Sequence, residues 1–356
     1  MLLWTKKIGY FQLEVEKETV DDWIIILDES IEFGHDKLLV VYGIPDHKVN
    51  YNKPLGYEDL TTLSIISGDK WTGELIKNEL EKIIIQPGKI IYAVADGGNA
   101  IRKGLRLAGI PHVYDITHKF AWMLKEIYKN EKEFQSYTTG MAKMRGKFSL
   151  TNISHILPPN QRFHSRFMNL DIISDWGMKV LNYLQNGKKT DRTFKVLKWV
   201  KDYHSFIEEL HEVNLVLNKI KALLKVNSLS IKNARCAKKL LLDIKIKNDR
   251  TDRLKSFIIE FLNELTSQLN GRKKLLCTSD IIESAFGKYK NYISNNPMVG
   301  ITNLALCMAA FTSKLDKYAI KEALENVKVD YLRTWSISNI GSTNLQRRKA
   351  ILKKIG

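Results

Sequence analysis

Asp28 and Asp96 each close a run of apolar residues. Trp23-Ile24-Ile25-Ile26-Leu27 leads to the first, and Ile90-Ile91-Tyr92-Ala93-Val94-Ala95 leads to the second. Continuous apolar runs of this length suit central strands buried on both faces. A carboxylate at the end of such a strand is a hard oxygen donor on a rigid mount, which matches what a magnesium ion requires of its ligands. Two of them side by side could serve a pair of divalent cations about 3.5 to 4 Å apart, the arrangement used in two-metal phosphodiester hydrolysis. That chemistry needs the two strands to be neighbours in one sheet, with a third ligand arriving from elsewhere. The ordinary alternative stands beside it: a strand-end aspartate often serves a turn or a helix cap, and Asp96 precedes Gly97-Gly98.

The surrounding pattern predicts the scaffold. Lys37 to Ile44 reads as a second strand, close enough to the first to pair with it as an antiparallel hairpin across a turn at Gly34-His35-Asp36. A third strand falls near Asp59 to Ser67, helical spacing runs from Trp71 to Ile85, and Pro87-Gly88 breaks the chain before the strand ending at Ala95. Gly97-Gly98 permits a sharp turn into a short helix, His112 to Ile116 reads as a fifth strand, and a long helical stretch starts at His118. Three strands in a meander followed by two strand and helix alternations is the order of the ribonuclease H-like fold. The expected class is therefore α/β, a mixed five-stranded sheet with flanking helices, although other mixed sheets share the pattern.

From about residue 146 the strand signals stop. Phe206, Leu210, Val213, Leu217, Ile220 and Leu224 repeat at helical spacing, as do Leu254, Ile258, Phe261, Leu265 and Leu269, which predicts two helices packed antiparallel. Lysines and arginines between Lys219 and Lys247 form either a solvated face or a phosphate-contacting one. Trp176 and Trp199 read as core residues of this region rather than as base-stacking platforms.

At the level of motifs the chain resembles bacterial insertion-sequence DDE transposases. The resemblance is carried by Asp28 in a first strand, Ala95-Asp96-Gly97-Gly98 after a fourth and Tyr114-Asp115-Ile116-Thr117-His118-Lys119 after a fifth. It is completed by Ser279-Asp280-Ile281-Ile282-Glu283-Ser284-Ala285-Phe286-Gly287-Lys288-Tyr289-Lys290. It spans residues 20 to about 300. It implies a ribonuclease H-like catalytic core split by an all-helical insertion, giving 1–145 as the first part of the core, 146–276 as the insertion, 277–330 as the part bearing the glutamate, and 331–356 as a basic tail. By position it implies Asp28, Asp96 and Glu283 as the catalytic and metal-binding carboxylates, with two Mg2+ ions, for which Mn2+ would substitute. It further implies cleavage at the ends of a mobile element and joining to target DNA by attack of a 3′-hydroxyl, with a homodimer on paired double-stranded ends.

Glu283 has its own ordinary explanation, since Asp280 and Glu283 stand at the spacing of a capping box. On a helix Glu283 shares a face with Gly287 and Lys290. Lys290 resembles the basic residue that follows the catalytic glutamate in relatives, with Lys288 as a weaker substitute, and Gly287 leaves room for close approach. Ser279 departs from the family's frequent basic and tyrosine partners upstream. His118 and Lys119 are taken with Lys288, Lys290, Arg347 and Arg348 as DNA-contacting residues. The stretch from Tyr331 carries Arg333, Arg347, Arg348, Lys349, Lys353 and Lys354 and no acid, so it would clamp DNA or form a solubilising end. The stretch before Trp23 is too short for a helix-turn-helix module, so either the sequence is that of a truncated product or end recognition lies in the insertion and tail.

Composition is consistent with this reading. Lysine plus arginine exceed aspartate plus glutamate by 56 to 39, a net charge of +17 that favours a polyanionic partner. No apolar run approaches the ~20 residues of a membrane helix, and no secretory signal opens the chain, so a bacterial cytosolic, nucleoid-associated protein is expected. Cys236, Cys277 and Cys307 show no CxxC pairing, which speaks against a disulfide framework or a cysteine zinc site and predicts buried fillers. No GxSxG elbow supports a serine hydrolase. Within the nucleic-acid reading, a ribonuclease H-like nuclease without strand transfer and an inactive transposase-derived DNA-binding protein remain alternatives.

Overall fold

The computed structural model describes residues 2–29, 36–85, 88–161, 166–187, 191–293 and 300–355. The turn expected at Gly34-His35 and the break at Pro87 lie outside them. The chain forms two compact units, one of residues 1–115 with 276–356 and one of residues 116–275.

The first unit opens with α1 (Leu2–Glu14) and then lays down β1 (Trp23–Glu29), β2 (Lys37–Pro45) and β3 (Thr61–Gly68). These are followed by α2 (Gly73–Ile85), β4 (Ile90–Ala95), α3 (Asn99–Leu107) and β5 (His112–Tyr114). The strands form one sheet in the order β3-β2-β1-β4-β5. β1 pairs antiparallel with β2, and β2 antiparallel with β3; β1 pairs parallel with β4, and β4 parallel with β5. This is the ribonuclease H-like topology, and each expected strand is present.

Alternation along the strands divides the core into two faces. On one, Ile25, Leu27, Leu39, Val41, Ala93 and Ala95 pack with Ile76, Leu80 and Ile83 of α2 and with Ile101 and Leu105 of α3. Each of the leucine, isoleucine and valine side chains there, removed from water, contributes about 1.5–3 kcal/mol before the entropy of ordering is counted. The other face meets the chain's return. After the helical unit the first unit resumes with α11 (Asp280–Ile293), α12 (Leu306–Phe311), α13 (Lys317–Asn326), α14 (Val329–Asn339) and α15 (Asn344–Ile355), the labels α4 to α10 belonging to the second unit. Here Tyr42 donates its hydroxyl to the Met308 carbonyl at 3.0 Å, the Tyr92 hydroxyl accepts the Leu276 N–H at 3.0 Å, and Thr62 bonds Thr312 at 2.9 Å. α11 also packs against β1. α1 lies on α12, close enough at Gly9 that a side-chain carbon there would overlap the Leu306 carbonyl. The basic tail is helical, forming α14 and α15, rather than a loose end.

The second unit is all helical: α4 (Ile116–Tyr128), α5 (Lys132–Phe148), α6 (Leu170–Asn186), α7 (Arg192–Leu197), α8 (His204–Asn227), α9 (Ile231–Leu240) and α10 (Asp249–Ser267). The helical unit thus starts at Ile116, so α4 and α5 belong to it, and its far seam falls at Leu275/Leu276. The two long amphipathic helices are not each other's main partners. α8 packs chiefly on α6, α10 packs on α4, and α9 touches both α8 and α10. What joins α8 to α10 directly is polar: Glu209, 2% exposed, accepts hydrogen bonds from Arg250 Nη2 at 2.6 Å and Nε at 2.9 Å, from Asn248 at 2.7 Å and from Tyr128 at 2.9 Å. A buried carboxylate held by that many donors is satisfied rather than strained. Trp176 and Trp199, both half-buried, sit 6.5 Å apart in an aromatic cluster with Tyr137 and Tyr203. Cys277 and Cys307 are buried, whereas Cys236 is exposed on α9, where the lysine-rich helix turns it outward.

Candidate active site

At the carboxyl ends of the parallel strands, register brings Asp28 and Asp96 together. Ile26 lies opposite Val94, and two residues further along each chain stand Asp28 and Asp96. Ala95 lies opposite Tyr114, so the next step in that register sets Asp115 beside Asp96. By alternation Asp28 and Asp96 turn away from the α2 and α3 face and toward the face that carries α11 and α12. Both are half-buried. The turn role expected of Asp96 is real, because its Oδ1 accepts the Gly98 N–H at 2.8 Å just ahead of α3. A carboxylate has a second oxygen, so the turn occupies half of it.

Glu283 lies half-buried in the first turn of α11. The start of that helix is fixed by Asp115, which is fully buried and accepts hydrogen bonds from both the Ser279 backbone N–H and the Ser279 hydroxyl, the latter at 3.0 Å. Ser279 in turn receives the Ile282 N–H on its carbonyl at 2.9 Å. Ile282, Ala285, Phe286 and Tyr289 form the buried stripe of α11, which leaves Gly287 facing open space and Lys290 half-buried. Lys288 is exposed and rests its ammonium 4.1 Å from the Tyr57 ring and 5.2 Å from that of Phe311.

The donor types suit a hard divalent cation, and register suits the aspartate pair. Among the described residues, however, no group of three or more His, Cys, Asp or Glu side chains stands close enough to hold a metal ion, so Glu283 is not gathered with the two aspartates.

The remaining DNA-contact candidates are dispersed. His118 and Lys119 open α4 of the helical unit, where Lys119 lies 4.5 Å from the Trp122 ring and 5.6 Å from that of Phe261. On α15 the two arginines differ. Arg347 pairs with the buried Asp36 at 3.3 Å, while Arg348 is exposed. Burial, and next a hydrogen bond that the protonated Asp36 carboxyl shares with Asp69, push Asp36 above its ordinary range, against the pull of Arg347.

Sequence reasoning missed the setting of β4's tip. A Cβ at Gly97 would overlap the Tyr114 hydroxyl, so that glycine exists to let the phenol lie against the backbone next to Asp96. His112 donates Nε2–H to the Ala95 carbonyl at 3.2 Å, and its burial lowers its pKa. The glycine pair was a visible signal, but a turn explained it without reference to Tyr114.

No family model matches the chain, and no curated protein matches it in sequence. Among solved structures, the Drosophila P element transposase strand transfer complex aligns over 88% of this chain and 81% of that chain, with a TM-score of 0.41 and 11% identity. No helix among the described residues is long and apolar enough to cross a membrane.

Proposed function

We propose that this chain cuts and joins DNA in the manner of a DDE transposase, with Asp28, Asp96 and Glu283 as its metal-binding carboxylates. The observation that carries the reading is the parallel register that sets Asp28 beside Asp96 on the sheet face that α11 covers. Mg2+, or Mn2+ in its place, would be held there by hard carboxylate oxygens and would supply the Lewis acidity needed for in-line displacement at phosphorus. The chain's own part is to hold the aspartates rigid on adjacent strands and to present Glu283 from a helix whose start is anchored. The reading requires Glu283 to draw in once a cation offsets the repulsion among the carboxylates. The net charge of +17 supports a double-stranded DNA partner. The bacterial insertion-sequence origin, the homodimer on paired ends and the nucleoid setting rest on the motif resemblance.

One observation favours a second reading, a DNA-binding protein without chemistry: the three carboxylates are not gathered into a metal-holding group. End-labelled duplexes carrying the genomic sequences that flank the gene, incubated with a supercoiled target plasmid and Mg2+, distinguish the possibilities. Joined product supports the transposase, cutting without joining indicates a nuclease, and binding alone indicates the non-catalytic protein.

A further inference from the structure

We propose that Arg102 and Tyr114 form a phosphate grip at the tip of β4, holding the DNA phosphate next to the one that reacts. The inference rests on reading Asp96 as an active-site carboxylate.

Tyr114 ends β5 and lies opposite Ala95, the last residue of β4. Its ring therefore belongs to the α3 side of the sheet, with Ala95, whereas Asp96 belongs to the α11 side. The hydroxyl nevertheless reaches the chain at Gly97, directly beside Asp96, in space that any side chain at 97 would fill. Arg102 stands on the first turn of α3, where its N–H donates to the Gly98 carbonyl at 2.9 Å, and its charge acts on both His112 and Tyr114. Arg102 is exposed, and among the described residues no carboxylate lies within ion-pair distance of it, while its neighbour Lys103 is paired with Glu74. The short run from Asp96 to Arg102 thus gathers a phenol and an unpaired guanidinium around one strand end.

Charge favours a grip there. Asp28 and Asp96 repel a phosphodiester, and the α3 side of the strand end offers the next phosphate a cation in Arg102, whereas Lys288 and Lys290 belong to α11 on the opposite face, the one the carboxylates share. A guanidinium presents a planar fork that matches two phosphate oxygens, and a phenol adds one neutral donor. A DNA strand crossing the tip of β4 would meet the carboxylates with one phosphate and Arg102 with its neighbour. The pair acts by positioning and takes no part in bond making.

The test uses the full-length protein carrying Asp28→Ala, so that no cutting occurs, and a fluorescein-labelled duplex followed by anisotropy over a KCl series. Adding Arg102→Ala is expected to weaken binding severalfold and to reduce the slope of log K against log salt by about one, the loss of one phosphate contact. Tyr114→Phe and Gly97→Ala are expected to weaken binding without changing that slope, because neither removes a charge. Lys321→Ala on α13, an exposed lysine paired with Glu325, should change neither quantity. Thermal unfolding establishes that each variant is folded. An Arg102→Ala protein with unchanged affinity and slope overturns the grip. If cutting by the protein with Asp28 intact still depends on Asp96 in that case, the carboxylate reading survives; an Asp28→Ala protein that binds no duplex removes both.

Discussion

Asp115 and Ser279, separated by 164 positions in sequence, meet in the core of the first unit, where one carboxylate oxygen takes both the backbone N–H and the hydroxyl of the serine. The contact ties the end of β5 to the start of α11, so the helix bearing Glu283 is aligned by a residue that stands in register beside Asp96. Asp115 is therefore a structural anchor in this state. Asp115→Ala would leave two buried donors unsatisfied and is expected to cost roughly 3 kcal/mol, against about 1 kcal/mol for Ser279→Ala. Denaturant midpoints of the two variants measure the difference, and equal losses would show that the anchor lies elsewhere.

The helical unit depends on a second buried carboxylate. Removing Arg250 leaves Glu209 charged and 2% exposed with only neutral donors, so Arg250→Ala should destabilise by about 3–5 kcal/mol. Arg250 also reaches Glu133 at 2.9 Å and Glu131 at 3.3 Å, but these pairs are more exposed and contribute little. Chemical denaturation of Glu133→Ala, expected within about 0.5 kcal/mol of the parent, provides the comparison.

Arg347 and Arg348 are adjacent in sequence and differ in expected role. Arg347→Ala should loosen α15 from Asp36, while Arg348→Ala should leave stability unchanged and reduce both the affinity for duplex and its salt slope. The Asp36 carboxyl, pushed upward by burial first and by Asp69 next, binds its proton more tightly in the folded state than in the unfolded one. Its stabilising contribution is complete at pH below ~4, the ordinary carboxylate value, and is lost as pH rises through the higher folded value. Asp36→Asn escapes that loss. The difference in Tm, variant minus parent, should therefore grow more positive from acid toward neutral pH, and a difference falling over that range would reverse the assignment.

Gly287 sits mid-helix on α11 with nothing within 4 Å of where a side chain would begin. Gly287→Ala should raise stability by about 0.5–1 kcal/mol, since no neighbour in its unit requires the glycine. Weaker duplex binding in the same variant would indicate that DNA comes close at this point; unchanged binding would make the glycine incidental.

The sheet could be read from the sequence because its signals are local. The unbroken apolar runs before Asp28 and Asp96 need burial on both faces, and only a central strand provides it. Glu283 was harder, since its placement depends on Asp115 and Ser279, a pairing that crosses the whole helical unit. The partners of α8 and α10 were misread because an apolar stripe states that a helix packs but not against what. Glu209, a charged residue at a core position, carried no local signal of the arginine and asparagine that satisfy it. The tail's composition left a DNA clamp and a solubilising end both open, because charge says nothing of the apolar anchors: Leu332 and Trp335 bury α14 and Arg347 tethers α15.

The account rests on Asp28 and Asp96 acting together on a cation, and nicking of supercoiled plasmid DNA in Mg2+ or Mn2+ by the parent, Asp28→Asn and Asp96→Asn proteins tests this most directly. The expected result is nicking that EDTA abolishes and that each substitution lowers at least ~1,000-fold, about 4 kcal/mol of barrier, with circular dichroism unchanged. Nicking at the parent rate by both variants would contradict it.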